Sequence, residues 1–227
     1  MEHKIQIIAE YMNGLLILVI LFATFFGLKN FKKIGFYSIF IIITASSLIQ
    51  MVYSILILNI HGIEAKNSKV SLSINLYILI ELAIITYFFY FKIKNQILRN
   101  ILFISNSLLF FVMLFFVLTD NNFINEHYSR FVAIEAILSL LGCIFVFVQI
   151  LDEDSNEPLL NSPDFIITSG LFFFFSFTCP FYLLSYYLKD EILLHKCLST
   201  LNNLVYVILY ISFIIAYVCK IRTNKLY

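Results

Sequence analysis

Seven long runs of uncharged, mostly apolar residues constrain the fold of this sequence more than any other feature. They cover approximately Met12–Leu28, Phe36–Ile60, Leu72–Phe91, Ile101–Leu118, Arg130–Leu151, Asp164–Leu188 and Leu201–Cys219. A helix rising about 1.5 Å per residue needs about 20 apolar residues to cross about 30 Å of hydrocarbon, and each run reaches or nearly reaches that length. The sequence therefore predicts an all-α membrane protein, with residues 1–227 forming a single seven-helix transmembrane bundle.

The composition of the chain agrees with a membrane location. Of the 227 residues, 61% are apolar and 13% are charged, whereas soluble domains contain about 45–50% and 25%. The net charge of +1 gives no electrostatic basis for binding nucleic acid. The polar joints are too short to fold alone, and Met1–Glu10 lacks the basic leader and cleavage site of a signal peptide. The first run is therefore expected to remain as helix 1.

The distribution of lysine and arginine between the joints predicts the orientation, because cytoplasmic loops retain positive charge. One side collects nine such residues: Lys29, Lys32, Lys33, Lys92, Lys94, Arg99, Lys220, Arg222 and Lys225. The other side holds six: Lys4, Lys66, Lys69, Arg130, Lys189 and Lys196. This bias predicts that the N-terminus lies outside and the C-terminus in the cytoplasm. The protein is therefore expected to be a multi-pass protein of the cell's inner (cytoplasmic) membrane.

Two acidic residues lie deep inside the predicted helices. Glu81 is near the middle of helix 3, and Glu135 is about five residues into helix 5 from the outer side. A carboxylate at such a depth costs several kcal/mol unless it is protonated, paired or hydrated, so intramembrane acids are usually functional. Glu135 shares a helical face with the small residues Ser139 and Gly142, and Glu81 shares one with Tyr77. Both carboxyl groups are therefore expected to point into the bundle.

Other polar side chains fall in the same outer half of the membrane on the predicted orientation. They are Glu10, Tyr11, Gln50, Tyr53, Asn75, Tyr186, Asn202 and Asn203. A hydrated cavity open to the outside would explain them, as would ordinary interfacial caps and interhelical hydrogen bonds. The predicted ligand- or proton-binding set is Glu81, Glu135, Tyr77, Gln50, Asn75 and Asn202.

The histidines and the internal proline allow two further interpretations. His3, His61, His127 and His195 all fall on the predicted outer side next to acidic residues, but no metal-binding spacing accompanies them, so no metal site is predicted. Pro180 should remove a backbone hydrogen bond to Ser176 and kink helix 6, with Ser176 and Thr178 able to satisfy part of the freed backbone. The kink predicts a hinge that could transmit a change across the membrane.

The sequence lacks the residues that several known activities of membrane proteins require. The last helix, Leu201–Cys219, contains no lysine for a retinal Schiff base, and Ser169-Gly170 lacks the first glycine of a hydrolase nucleophile elbow. Paired metal-binding histidines and glycine-rich phosphate loops are also missing, and so is the Pro-Gln dipeptide of seven-helix sugar transporters. An enzyme would have to rely on dispersed residues, and no cofactor is predicted.

The segment Pro158–Phe165, with the sequence PLLNSPDF, is followed by Gly170-Leu171-Phe172. It resembles the start of helix 6 in small uncharacterised bacterial seven-helix membrane proteins that are often encoded near sensor kinases. The resemblance implies a role in envelope signalling, and it assigns no functional residues.

Three functions remain open at this level. The leading hypothesis is a receptor-like sensor in which an outer polar cavity with Glu81 and Glu135 recognises a small ligand, a cation or a proton. Helix 6 and the basic tail Lys220–Lys225 would then signal to a cytoplasmic protein partner. The alternatives are a proton- or cation-coupled transporter of small solutes and a non-catalytic accessory membrane subunit.

Overall fold

The computed structural model describes residues 2–61, 66–119, 121–152, 158–185 and 192–226. These ranges contain no strand, and seven long helices make up nearly all of them. The helices are Glu2–Lys29, Ile39–His61, Lys66–Lys92, Gln96–Thr119, Asn121–Asp152, Pro163–Ser185 and Ile192–Leu226. We number them helix 1 to helix 7 in that order. Each contains a stretch that is long and apolar enough to span a membrane, so the predicted all-α seven-helix membrane fold is confirmed.

Most helices extend beyond the apolar runs that predict them. Helix 7, for example, begins at Ile192 rather than Leu201 and ends at Leu226 rather than Cys219. An apolar run marks only the part that crosses hydrocarbon, whereas polar residues at either end can continue the same backbone hydrogen bonding. The predicted end of helix 6 at Leu188 lies outside the described residues.

The start of helix 2 lies close to its approximate prediction at Phe36. Phe36 belongs to a single 3-10 turn, Gly35–Ser38, which follows a short helix, Phe31–Ile34. Helix 2 itself begins at Ile39. The chain changes direction at Gly35, whose φ of +56° is a left-handed conformation that glycine adopts without steric cost.

The seven helices form a closed ring in which helix 3 is the most buried member. Helices that follow each other in sequence pack side by side, and helix 7 returns to pack against helix 1. Helix 3 also contacts helix 5 across the ring. In helix 3, 56% of the membrane-spanning segment is buried, whereas 22–44% is buried in the other six helices. Side chains from both halves of the bundle therefore meet at helix 3.

Positively charged segments come together at one end of the bundle, which we call the basic end. It contains Lys29–Lys33, Lys92–Arg99 and the C-terminal part of helix 7. The Asn224 side-chain amide donates a hydrogen bond to the Lys33 carbonyl at 2.6 Å. The Lys94 backbone N–H donates to Gln149 Oε1 at 2.8 Å. These bonds tie helix 7 to the helix 1–2 connection and helix 5 to the helix 3–4 connection.

An ion pair at the basic end joins three parts of the ring. Lys92 Nζ lies 2.6 Å from Asp164 Oδ1, and the Tyr37 hydroxyl donates a hydrogen bond of 2.8 Å to the same oxygen. The ammonium group also lies 5.1 Å from the ring centroid of Phe36 and 5.1 Å from that of Tyr37, distances at which a cation is attracted to an aromatic face. We call Tyr37, Lys92 and Asp164 the basic-end clamp.

An aromatic layer fills the interior between the basic end and the middle of the bundle. The ring centroids of Phe40 and Phe213 are 4.7 Å apart, and those of Phe40 and Phe88 are 5.3 Å apart. Phe89 adds a fourth buried ring at 5.7 Å from Phe88. Helices 2, 3 and 7 each contribute to this layer, which is closely packed and carries no polar side-chain group.

Two glycines allow close packing between helices. A Cβ atom at Gly142 would lie 2.6 Å from the ring of Phe89, which is itself fully buried. A Cβ atom at Gly170 would lie 2.6 Å from the Cβ of Ser212. Small residues at such positions let membrane helices approach closely, and this shortens the distances between helices 3 and 5 and between helices 6 and 7.

Gly142→Ala is therefore expected to destabilise the bundle, because the added methyl group must displace a buried ring in a packed core, at a cost of about 1–3 kcal/mol. Thermal unfolding in detergent should show a melting temperature lower by several degrees. Gly14→Ala in helix 1 is the matched control, since nothing lies within 4 Å of a Cβ there. The control should melt at the same or a higher temperature, and equal melting of both variants would contradict the packing.

Candidate functional site: a buried carboxyl pair beside a cleft

Two carboxyl groups are buried together in the middle of the bundle. Glu81 on helix 3 is 4% exposed and Glu135 on helix 5 is 1% exposed. They lie close enough to interact electrostatically. Among the residues whose side chains are described, no other acidic or basic residue is buried. The sequence-based expectation that both carboxyl groups point inward agrees with this placement.

Helical periodicity places each carboxyl group on the inner face of its helix. Residues 77, 81, 85, 88 and 92 of helix 3 form a single stripe, because positions three, four and seven apart lie on one side. Its apolar members Ile85 and Phe88 are fully buried. On helix 5, Glu135 is followed on the same face by buried Ser139 and Cys143. The stripe on helix 3 leads from the carboxyl group to Lys92 in the basic-end clamp.

Two tyrosines connect the carboxyl pair to helix 7. The Tyr77 and Tyr210 hydroxyl oxygens are 3.3 Å apart, so either can donate to the other. Tyr77 is also within hydrogen-bonding reach of Glu81, and Ser47 on helix 2 is within reach of Tyr210. We call Ser47, Tyr77, Glu81, Glu135 and Tyr210 the polar centre. Four helices contribute to it, so movement of helix 2, 3 or 7 would alter its hydrogen bonds, and movement of helix 5 would alter the electrostatic interaction of the two carboxyl groups.

Hydrogen bonding in the polar centre is incomplete. Glu81 Oε1, Glu135 Oε1 and Ser139 Oγ are buried and have no hydrogen-bond partner among the described residues. Twelve buried side-chain atoms share this property, in Thr24, Asn75, Glu81, Arg99, Asn106, Glu135, Ser139, Thr168, Thr178, Asn202 and Tyr217. A buried polar group without a partner costs about 1–3 kcal/mol. Two neighbouring carboxyl groups with unpaired oxygens are thus suited to receive a proton, a hydrogen-bond donor or a cation.

A cleft of about 340 Å³ lies beside the polar centre, between helices 2 and 3. Its lining consists of Ser46, Ile49, Gln50 and Tyr53 from helix 2 and Ser73, Leu76, Tyr77 and Ile80 from helix 3. Tyr77 belongs to both the cleft and the polar centre. The two carboxyl groups are not among the residues that line this cleft, so the expectation of one hydrated cavity that contains both stays a prediction.

The structure brings together only some of the predicted site residues. Gln50 lies in the cleft wall, where its Nε2 donates to Ser54 Oγ at 3.2 Å. Asn75 and Asn202 are buried, and the Oδ1 of each has no partner in the described parts of the chain. Neither is among the residues that the hydrogen bonds above connect to the polar centre.

Pro180 lies inside helix 6, which continues as α-helix to Ser185. The proline faces outward from the bundle. The expectation that Thr178 would satisfy the freed backbone is wrong, because its hydroxyl oxygen is buried without a partner among the described residues. The hinge therefore stays a prediction. The side chains of Glu10, Tyr186, His3, His61, His127 and His195 lie outside the described residues.

Sequence reasoning missed Tyr210, Ser47 and the basic-end clamp. Tyr210 lies within a continuous apolar run, and Ser47 resembles any small residue of a membrane helix. Lys92 counted only toward the orientation, and Asp164 only marked the start of helix 6. The four-residue spacing of Tyr77 and Glu81 was the one local signal available, since the remaining contacts join residues far apart in sequence.

The described residues offer little for a metal. No three His, Cys, Asp or Glu side chains converge in the part of the chain that the structure describes. Two carboxyl groups alone supply fewer ligands than the six or more oxygens that bound calcium ions require. The polar centre is better suited to proton exchange or to a hydrogen-bonding ligand.

Comparisons with known proteins give no relative. No protein-family model matches the chain, and neither does any curated protein or solved structure. The resemblance of the 158–172 segment to bacterial seven-helix proteins thus stays an expectation, and the geometry of the polar centre carries the functional argument.

Tyr77→Phe should test the polar centre. Loss of the hydroxyl removes its bond to Tyr210 and its contact with Glu81, and interhelical hydrogen bonds in membranes contribute about 0.6 kcal/mol on average and up to about 2. We expect a small but measurable decrease in melting temperature in detergent. Tyr87→Phe, on the same helix with a ring that is 46% exposed, is the matched control and should melt like the unmodified protein. A Tyr77→Phe protein that is indistinguishable from this control would contradict the hydrogen-bond network.

Proposed function

We propose that the protein is a receptor-like membrane sensor in which the cleft and the polar centre form the input and the basic end forms the output. One observation carries this proposal: two buried carboxyl groups that interact electrostatically have unpaired oxygens, and Glu81 lies beside Tyr77, which also lines an open cleft. Intramembrane acids are expensive without a functional role. Binding at the cleft would alter Tyr77 and, through it, the carboxyl pair.

One-sided access favours a sensor over a transporter. The cleft lies on the side of the polar centre away from the basic end, and the aromatic layer of Phe40, Phe88 and Phe213 fills the interior on the other side. A transported solute would have to pass three fully buried rings and then the basic-end clamp. A signal passes by movement of a helix and needs no such opening.

Helix 3 is suited to transmit that signal. Its stripe runs from Glu81 through Phe88 to Lys92, which lies about 16 Å further along at 1.5 Å per residue. A small shift or rotation of helix 3 would change the geometry of the Lys92–Asp164 pair. The clamp therefore couples the state of the polar centre to helix 6.

The output would be read by a cytoplasmic signalling protein. The positive-inside bias places the basic end, with Lys29, Lys94 and Arg222 near it, on the cytoplasmic side of a bacterial inner membrane. The cleft then opens on the outer half. The small ligand, cation or proton that acts as input would arrive from that side, in agreement with the signalling role that the resemblance implies.

Two other functions make different use of the same residues. In a proton- or cation-coupled transporter the proximity of Glu81 and Glu135 would allow proton exchange, and the described arrangement would be one of two alternating states. In an accessory subunit the acids would only bond neighbouring helices.

Replacing both acids by glutamine should change the basic end. Glu81→Gln with Glu135→Gln fixes the centre in a neutral, amide-bonded state and should alter hydrogen exchange of backbone amides in Ile93–Arg99 and Pro163–Ile167 at least several-fold in nanodiscs. The matched control is Ile144→Val, on the exposed face of helix 5, which should leave exchange unchanged. Unaltered exchange at the basic end in a folded double variant would overturn the proposed transmission.

Ion flux separates the sensor from the transporter. Proteoliposomes loaded with a pH-sensitive dye and driven by a potassium diffusion potential should show no proton movement above that of empty vesicles. Proton flux that is abolished by Glu81→Gln would instead establish the transporter. For an accessory subunit, both glutamine variants should melt at lower temperatures without any separable change at the basic end.

Asp164→Asn should release the basic-end clamp. The amide keeps the acceptor for the Tyr37 hydroxyl but removes the charge that attracts Lys92, so we expect faster hydrogen exchange in the first turns of helix 6. Asp152→Asn, at the exposed end of helix 5, controls for the loss of one negative charge at the same end. Equal exchange in the two variants would show that the ion pair does not hold helix 6.

A further inference from the structure

We infer that the cleft binds an uncharged, single-chain lipophile with one hydroxyl or amide group, and that this molecule enters sideways from the bilayer between helices 2 and 3. The inference rests on the proposed function, since it names the ligand class for the same input site. Such a lipophile differs from a water-soluble ligand or a cation both in its route of entry and in the groups that would recognise it.

The direction of the opening supports entry from the membrane. Ile49 and Leu76 line the cleft and are 69% and 47% exposed. Both belong to segments long and apolar enough to span a membrane, so the surface around them faces hydrocarbon. A molecule dissolved in the bilayer reaches this opening by lateral diffusion, whereas a cation would have to leave water and cross an apolar rim.

The chemistry of the lining supports an uncharged ligand with one polar group. None of the eight residues that line the cleft in the described part of the chain is charged, so a charged head group would find no counter-ion among them. Ser46, Gln50 and Tyr53 recur at helical spacing on helix 2, and helix 3 contributes Ser73 and Tyr77 together with the apolar Leu76 and Ile80. Ser46 Oγ and Gln50 Nε2 already donate hydrogen bonds within helix 2, but a hydroxyl or amide on the ligand can still bond to Gln50 Oε1 and to the Tyr53 hydroxyl.

The size of the cleft supports a single chain. Its volume of about 340 Å³ is at the lower end of small-molecule sites. A cleft at this end of the range suits one short chain, whereas a two-chain phospholipid is much larger. A chain of this length with its polar group beside Gln50 would reach Tyr77, which connects the cleft to Tyr210 at 3.3 Å.

Photolabelling in nanodiscs tests the inference. The probe is a diazirine-bearing dodecanol, and unlabelled dodecanol and dodecane are the competitors. Saturable labelling of helix 2 or helix 3 peptides is expected, with dodecanol competing at least five-fold more strongly than dodecane. Ser46→Phe and Ile49→Trp should each fill the cleft and reduce labelling at least five-fold. Ile144→Phe, on the exposed surface of helix 5, is the matched control and should label normally.

Several outcomes would overturn the inference. Equal competition by dodecane would show that the polar residues of the cleft do not recognise the hydroxyl group of the ligand. Equal labelling by a diazirine phosphatidylcholine that dodecanol does not displace would show that ordinary bilayer chains fill the cleft. Normal labelling of both filling variants, with elution volumes of folded protein, would place the label elsewhere.

The result is separable from the proposed function. Specific labelling without any change in hydrogen exchange at the basic end would support the ligand class and reject the sensor. A basic end that responds to Glu81→Gln and Glu135→Gln in a protein that does not bind dodecanol would support the sensor and reject the ligand class.

Discussion

A carboxyl group inside hydrocarbon must have a proton, a counter-charge or water, because an unpaired charge there costs several kcal/mol. This bundle buries two such groups within electrostatic range of each other, on helices 3 and 5, with one oxygen of each unpaired among the described residues. Packing of helix 3 against helices 2, 4 and 5 makes this arrangement possible. Tyr77 and Tyr210 then extend the polar centre toward helix 7.

The interior differs on the two sides of the polar centre. The cleft lies on one side of the polar centre, and the aromatic layer with the basic-end clamp lies on the other. Close contact at Gly142 and Gly170 fixes the helix spacing that these layers require. Among the described residues, three fully buried rings and the Lys92–Asp164 ion pair occupy the interior toward the basic end. Movement along helix 3 needs no opening there, and this is the physical basis on which we propose a sensor.

The helices and the inward placement of Glu81 and Glu135 could be predicted from sequence because both depend on local properties. Apolar length determines which segments cross hydrocarbon, and helical spacing determines which residues share a face. The 3-10 turn at Gly35–Ser38 could not be predicted in this way, since most of it lies within the apolar run that predicts helix 2.

The partners of the two acids could not be predicted either. Tyr210 is 133 residues from Tyr77, and Asp164 is 72 residues from Lys92, so only the packing of the ring brings them together. The cleft is likewise a property of how helices 2 and 3 pack, which no pattern within either helix records.

The interaction between Glu81 and Glu135 is the central claim, and a double-mutant cycle measures it most directly. The free energy of unfolding should be measured for Glu81→Gln, for Glu135→Gln and for the protein with both changes. Groups in contact typically show coupling energies of about 0.5–3 kcal/mol, so the effect of the second substitution should depend on the presence of the first by at least about 0.5 kcal/mol. Additive effects, within experimental error, would mean that the two carboxyl groups do not meet.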